Sequence, residues 1–389
     1  MKQSYAKKQI YFILLFLSIL LTACSTKDIS SFQKAVTSKD PTHAFGVLAK
    51  EKSVYYVKHP EKFKHDIAYL QTFINNISNK WGKKNIEIPK QKEYVQYMQN
   101  YKSRAIIDFS TGKIRVETLG DKKSLKESIV TTLLLPEDPR SIDLYSSKNI
   151  KLGGVPYLYG EVKDDTGKDI RYKWRANRYA KILINTKFKT KKVKNNAKYI
   201  TVNFVEFNMV KSHTNIRANK FKTYVKQYAN KYNIQESLVY AIIKTESDFN
   251  QFAVSGSGAY GLMQIIPSTA GIDAYYYAKG KKIKPSREYL FNPKNNIELG
   301  VTYLHILDKN YLKGIKNNIS REYCVISAYN TGSGNVLKVF SRDRTKAKQK
   351  INSLTPINVY NTLRIKLPYD ETKNYLRKVV YSKKEFIRL

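Results

Sequence analysis

The chain has 389 residues, 42% of them hydrophobic, enough for two domains with their own cores and too many for wholesale disorder. Its 70 Lys and Arg against 31 Asp and Glu leave a formal charge of +39, so a partner met at the surface is anionic: nucleic acid, lipid headgroup or another acidic polymer. Two cysteines and five histidines (His43, His59, His65, His213, His305) show no disulfide framework and no metal-ligand spacing, and no cofactor-binding motif is present.

At the start of the chain, Lys2, Lys7 and Lys8 precede an apolar run over 10–21. The run is short for a membrane span but suits a signal-peptide core. It meets Leu21-Thr22-Ala23-Cys24, which resembles a bacterial lipobox. Residues 1–23 are then a lipoprotein signal peptide and Cys24 the acylated first residue of the mature chain; a plain signal peptide with an incidental cysteine is the alternative. Ser25 in place of Asp resembles the pattern that sends lipoproteins to the outer membrane, where this chain would face the periplasm.

Residues 24–216 read as an α+β domain. A helix is expected over 63–77. Strands over 104–109 and 113–119 flank Ser110-Thr111-Gly112 as a hairpin, with Ile106 and Ile107 against Ile114 and Val116. A helix over 123–135 stops at Pro136, and 198–207 alternates as a strand through Ile200, Val202, Phe204 and Val205. Lysines at 187, 189, 191, 192, 194 and 198 form either a solvated face or a surface for long-range attraction. No acid pair or phosphate loop occurs here. The polar stretch 211–220 reads as a linker.

Residues 217–389 read as a mainly α domain. A helix carries Phe221, Val225 and Tyr228. The apolar stretch 238–243 runs on to Glu246 and should stop at Ser247-Asp248-Phe249-Asn250. Val239, Ile242, Ile243 and Glu246 share one helical face. Desolvation and the negative end of the helix dipole both act to raise the pKa of a carboxyl group there, which suits an acid that keeps its proton near neutral pH. The plain alternative is a solvated surface glutamate. Beyond a glycine-bearing loop over 255–261, Asn292 caps a helix with Pro293 in its first turn. Ser320 is expected to cap a helix to Tyr329 that buries Cys324. Thr355-Pro356 opens another helix, and Asp370 caps the last one to Lys383.

Four ordered segments stand out: Glu246-Ser247 with Phe249-Asn250; Gly261-Leu262-Met263-Gln264; Ala328-Tyr329-Asn330 with Gly332 and Gly334; and Glu371-Thr372 with Tyr375. They resemble the motifs of the lytic murein transglycosylases, glycoside hydrolase family 23. Asn292-Pro293, Asn296-Ile297, Leu299-Gly300 and Tyr303-Leu304 resemble the helix behind that family's active site. The long upstream region and lipoprotein-like start narrow the resemblance to the membrane-bound lytic murein transglycosylase C group.

The resemblance implies an α+β N-terminal domain followed by a mainly α, lysozyme-like catalytic domain with no cofactor and no metal. It implies that Glu246 protonates the glycosidic oxygen between N-acetylmuramic acid and N-acetylglucosamine. Glu246 then takes a proton from the C6 hydroxyl, which closes on C1 as a 1,6-anhydro ring. One carboxyl group thus serves as acid and base where most glycosidases use two. Gln264 and Tyr329 would hydrogen-bond the N-acetyl group and the reacting hydroxyl, Asn330 would bind the sugar, and Ser247 would steady Glu246 or the leaving sugar. Tyr375 would lie in the cleft near Glu246, while Met263 either lines the pocket or packs in the core. Thr331 and Gln251 stand where the family often has Gly and Pro, departures confined to loops.

The expected partners are peptidoglycan glycan strands and, through Cys24, the membrane; nucleic acid is not expected. Two alternatives stay open. A goose-type lysozyme-like hydrolase would let water attack and would need a second acid to position it. A non-catalytic wall-binding lipoprotein would keep the fold without the chemistry.

Overall fold

The computed structural model describes residues 73–137, 146–255 and 258–387. The expected signal peptide, Cys24, the start of the expected helix over 63–77, and Gly256-Ser257 of the glycine-bearing loop lie outside them. The chain divides into two compact units. One comprises residues up to His213 together with Val254–Ala259, the other Thr214–Ala253 and Tyr260–Leu389.

The first unit is an α+β structure. Among the described residues its sheet has five antiparallel strands, β1 (Glu93–Met98), β2 (Ser103–Asp108), β3 (Lys113–Thr118), β4 (Lys189–Asn195) and β5 (Lys198–Asn208), in the order β1-β2-β3-β5-β4. Helix α1 (Lys122–Leu133) packs on β2 and β3, and α2 (Lys173–Lys187) on α1 and β5. The expected hairpin forms because Asp108 closes its turn: Oδ1 accepts from the Ser110 N–H at 2.9 Å and Oδ2 from the Thr111 hydroxyl at 2.7 Å. Ile107 lies opposite Ile114 as expected, but Ile106 lies opposite Arg115. Successive strand residues alternate faces, so Ile106 packs on the far side of the sheet.

That far side carries an ionic cluster. The fully buried Glu117 carboxylate meets Arg104 Nη2 at 2.6 Å, Lys191 Nζ at 2.5 Å and Arg115 Nε at 3.1 Å. Burial acts to raise its pKa, but Arg104, Lys191 and Arg115 outweigh burial and hold the carboxyl below its ordinary range. Lys189 lies 3.9 Å from Glu206. Alternation puts Lys192 and Lys194 on the opposite face of β4, where both are exposed. Of the four lysines of β4, Lys191 is engaged by the buried Glu117, Lys189 stays exposed at the margin of Glu206, and Lys192 and Lys194 face solvent.

The second unit is helical. The stretch expected as a linker is mostly helix α3 (His213–Lys220), whose polar composition conceals a buried Arg217 and Ala218. There follow α4 (Lys222–Tyr232), α5 (Glu236–Ser247), α6 (Ala270–Lys279), α7 (Arg287–Phe291), α8 (Pro293–Ile306), α9 (Asn318–Thr331), α10 (Ser333–Lys338), α11 (Arg344–Asn352), α12 (Pro356–Lys366) and α13 (Asp370–Glu385). Every residue from Leu238 to Ile243 is buried, so α5 is the central helix of the unit. Helices α4 and α13 pack on α5, and α9 packs on α13.

Asn292 caps α8, accepting from the Asn295 N–H at 3.2 Å, and Thr355 caps α12. Two caps differ from expectation. Asn317 caps α9 by accepting from the Ile319 and Ser320 N–H groups, so Ser320 lies inside the first turn. Tyr369 occupies the N-cap of α13, leaving Asp370 and Glu371 in the first turn, where negative charge suits the helix dipole. Cys324 is buried as expected, and burial pushes its thiol up to about 12.

Candidate active site

Helix α5 delivers Glu246 in its last turn, half-buried. Asp248 then turns left-handed (φ 46, ψ 44), its N–H bonding to the Lys244 carbonyl at 3.0 Å, and ends the helix where the sequence placed its stop. Two phenols converge on Glu246, Tyr329 from α9 and Tyr375 from α13. Burial first, and the Glu246 charge next, push both phenols well above the ordinary tyrosine range, so they stay protonated donors. The Tyr375 hydroxyl is buried and meets no atom at full hydrogen-bond geometry. It is still near enough to Glu246 for that carboxylate to favour its donating form. Tyr329 donates to the Met263 carbonyl at 2.8 Å, and its ring tilts against Tyr303 with centroids 5.7 Å apart.

The Gly261-Leu262-Met263-Gln264 turn is held from three sides. Gly261 has φ 75, and a Cβ there would sit 2.3 Å from both Asn296 Nδ2 and the Leu290 carbonyl, so only glycine fits. Asn296, fully buried on α8, is the hub. Its Oδ1 accepts from the Met263 N–H at 2.8 Å, and its Nδ2 donates to the Tyr260 and Leu290 carbonyls, each at 2.8 Å. Ser247, also fully buried, directs its hydroxyl to the Leu262 carbonyl at 2.8 Å and the Ile243 carbonyl at 3.0 Å, tying the end of α5 to this turn. The Met263 side chain is buried against Gly300, where a Cβ would come within 2.3 Å of its sulfur.

Gln264 follows at φ 50 and is nearly buried. Its Nε2 donates to the Gly261 carbonyl at 2.9 Å, which fixes the amide orientation because a carbonyl must receive a hydrogen. Its Oε1 is buried with no partner, an unspent acceptor. Asn330 is oriented in turn: its Oδ1 accepts from the buried Thr372 hydroxyl at 2.7 Å, leaving Nδ2 as its donating end. Glu371, beside Thr372, is exposed.

Sequence reasoning named Glu246, Ser247, Met263, Gln264, Tyr329, Asn330 and Tyr375. The structure brings Glu246, Tyr329 and Tyr375 together around the carboxylate and joins Ser247, Met263 and Tyr329 through the turn. Asn296, Thr372 and Tyr303 were assigned no role. A signal for Asn296 was present, because asparagine is a poor helix-interior residue and one followed by Ile297 and Leu299 must find hydrogen bonds inside. Tyr329 spends its one hydrogen on the Met263 carbonyl, which leaves Tyr375 as the neutral phenolic donor beside a carboxyl group that can lend a proton and take it back.

Residues 56–220 match the family model of the membrane-bound lytic murein transglycosylase C N-terminal domain, and residues 223–352 that of the transglycosylase SLT domain. Over 379 residues the chain is 41% identical to the membrane-bound lytic murein transglycosylase C of Serratia proteamaculans, covering 96% of this chain and 98% of that protein. It is 44% identical over 320 residues to the protein of the same name from Yersinia enterocolitica, covering 81% of this chain and 88% of the other. The 70 kDa soluble lytic transglycosylase Slt70 of Escherichia coli shares 26% identity over 42% of this chain and 23% of its own, with a TM-score of 0.33.

Proposed function

The chain belongs to the membrane-bound lytic murein transglycosylase C family, and we propose that Glu246 is the acid and base with which it opens the glycan strand. The protein is a lytic murein transglycosylase, an enzyme that cleaves peptidoglycan. The bond broken is the β-1,4 link from N-acetylmuramic acid to N-acetylglucosamine. Glu246 gives its proton to the glycosidic oxygen as the C1–O bond breaks, and the neighbouring N-acetyl oxygen stabilises the positive charge at C1. The Glu246 carboxylate then accepts the proton of the C6 hydroxyl, whose oxygen closes on C1 to give the 1,6-anhydro sugar. The proton count balances and water is not consumed.

The observation that carries this reading is a carboxyl group, Glu246, close enough to two buried phenols to help keep both protonated. Tyr375 is the donor that would close on Glu246 once that group is charged. Gln264 Oε1 accepts from the N-acetyl N–H or the C6 hydroxyl, and the Asn330 amide donates to the sugar. Ser247 and Met263 act through the turn they hold, without touching the sugar. Tyr329 walls the site and fixes the same turn through Met263.

The family is membrane-bound, and among the described residues no helix is long and apolar enough to cross a membrane. The anchor is the lipid on Cys24, in the outer membrane facing the periplasm. Residues 24–216 carry the catalytic domain, 217–389, toward the wall, and the outward Lys192 and Lys194 add attraction to its acidic stems. Glu246→Gln tests the proposal: the amide keeps the shape but holds no transferable proton, so muropeptide release from sacculi should fall at least ~100-fold with the fold intact. Release at the wild-type rate would refute it.

A further inference from the structure

Directly after Glu246-Ser247, two consecutive non-glycine residues take left-handed backbone conformation, Asp248 at φ 46 and Phe249 at φ 60. L residues resist this conformation, a bulky one especially, so the surroundings must hold it. Phe249 is fully buried, its ring stacked on Phe221 (centroids 6.4 Å, 7° between planes) and edge-on to Phe386 at 5.9 Å. Its carbonyl oxygen accepts a hydrogen bond from Arg217 Nε at 3.2 Å. Arg217 is 1% exposed and is carried by α3, outside all four motifs.

We propose that Arg217 is a positioning residue for the glycan-cleaving reaction. By holding the Phe249 carbonyl it locks the turn that ends α5, and so sets the depth at which Glu246 stands between Tyr329 and Tyr375. The inference rests on the reading of Glu246 given above. Without Arg217 the Asp248-Phe249 pair relaxes toward right-handed backbone, the end of α5 shifts, and Ser247 no longer keeps its register with Leu262. The guanidinium also places positive charge near the carboxyl end of α5, where it complements the helix dipole.

The full mature chain carrying Arg217→Met is assayed for kcat and KM on a short soluble glycan, at a temperature where a melting curve shows it folded. A misplacement of about 1 Å can cost on the order of 100-fold in rate, so kcat should fall at least ~30-fold. KM should stay within about twofold, since Gln264 and Asn330 are held by other contacts. Adding Asp248→Gly, which removes the steric cost of the left-handed turn, should recover at least ~10-fold of that loss. Arg217→Lys, which keeps the charge and a donor, should lie between and serves as the readout if the Met variant does not fold. Wild-type kcat in folded Arg217→Met, a loss confined to melting temperature, or a loss that Asp248→Gly leaves untouched would overturn the inference. Wild-type activity in Glu246→Gln would instead remove the reading it rests on, so the two failures are distinguishable.

Discussion

Asn296→Leu should unpin the Gly261–Gln264 turn and destabilise the helical unit together. Leucine fills a similar volume but leaves the buried Met263 N–H with no acceptor and takes a donor from the Leu290 and Tyr260 carbonyls. An unsatisfied buried group costs about 1–3 kcal/mol. The Tyr260 carbonyl keeps its bond from the Ile265 N–H at 3.1 Å, so it contributes least. The sum is roughly 3–5 kcal/mol, which for a unit of this size lowers the melting temperature by roughly 10 °C. Scanning calorimetry reads the stability, and muropeptide release measured below both melting transitions reads the turn. Release should fall at least ~10-fold, because Gln264 and the Tyr329–Met263 bond lose their register. Ser247→Ala, which removes the one hydroxyl shared by the Leu262 and Ile243 carbonyls, should cost only about 1 kcal/mol. A loss below ~1 kcal/mol for Asn296→Leu, or full turnover in the folded variant, would refute the role of the hub.

Three further outcomes follow from the same geometry. Glu117→Gln leaves Arg104, Lys191 and Arg115 without their shared carboxylate and should cost roughly 3–5 kcal/mol in urea unfolding at neutral pH. Because the folded pKa of Glu117 is lowered, its contribution is present above the unfolded value and lost as pH falls through the folded one; the variant should lack that part of the acid loss seen in the wild type. Lys192→Gln with Lys194→Gln should weaken sacculus binding and its salt dependence, since exposed charges act through a screening length of roughly 8 Å, and should leave stability unchanged. Lys191→Gln should instead lower stability, and identical behaviour of the two variants would dissolve the distinction between the faces of β4. Cys324, its thiol raised to about 12 by burial, should resist alkylation in the native protein and react on unfolding; rapid native labelling at mildly alkaline pH would contradict its packing.

Much of this molecule is legible in the chain because local chemistry and burial agree there. The run over 238–243 could only be a buried helix, and Asp248 stops it where the polar turn begins. The β2–β3 hairpin is written in Asp108, Ser110 and Gly112. Strand β1 was hidden because Gln96, a polar residue, faces the core, bonded by Tyr94 and donating to the Ser146 carbonyl. Strand β4 was hidden because four of its seven residues are lysine, and its pairing depends on Glu117 and Glu206 from other strands. Helix α3 read as a linker because Arg217 looks like a solvated residue until Phe249, 32 positions away, supplies its acceptor. At the site, Glu246, Gln264, Tyr329, Asn330 and Tyr375 stand in segments whose order is readable along the chain. Asn296 and Thr372 lie in those segments too, but the partners that give them their roles, Met263 and Asn330, are 33 and 42 positions away.

The central claim is that the C6 hydroxyl, and not water, closes on C1. Digestion of purified sacculi in water enriched in heavy oxygen, followed by mass spectrometry of the released muropeptides, tests it directly. Products should end in 1,6-anhydro-N-acetylmuramic acid and carry no heavy oxygen at C1, because the ring oxygen comes from the sugar itself. Reducing-end products that carry the label would contradict the account and make the enzyme a hydrolase.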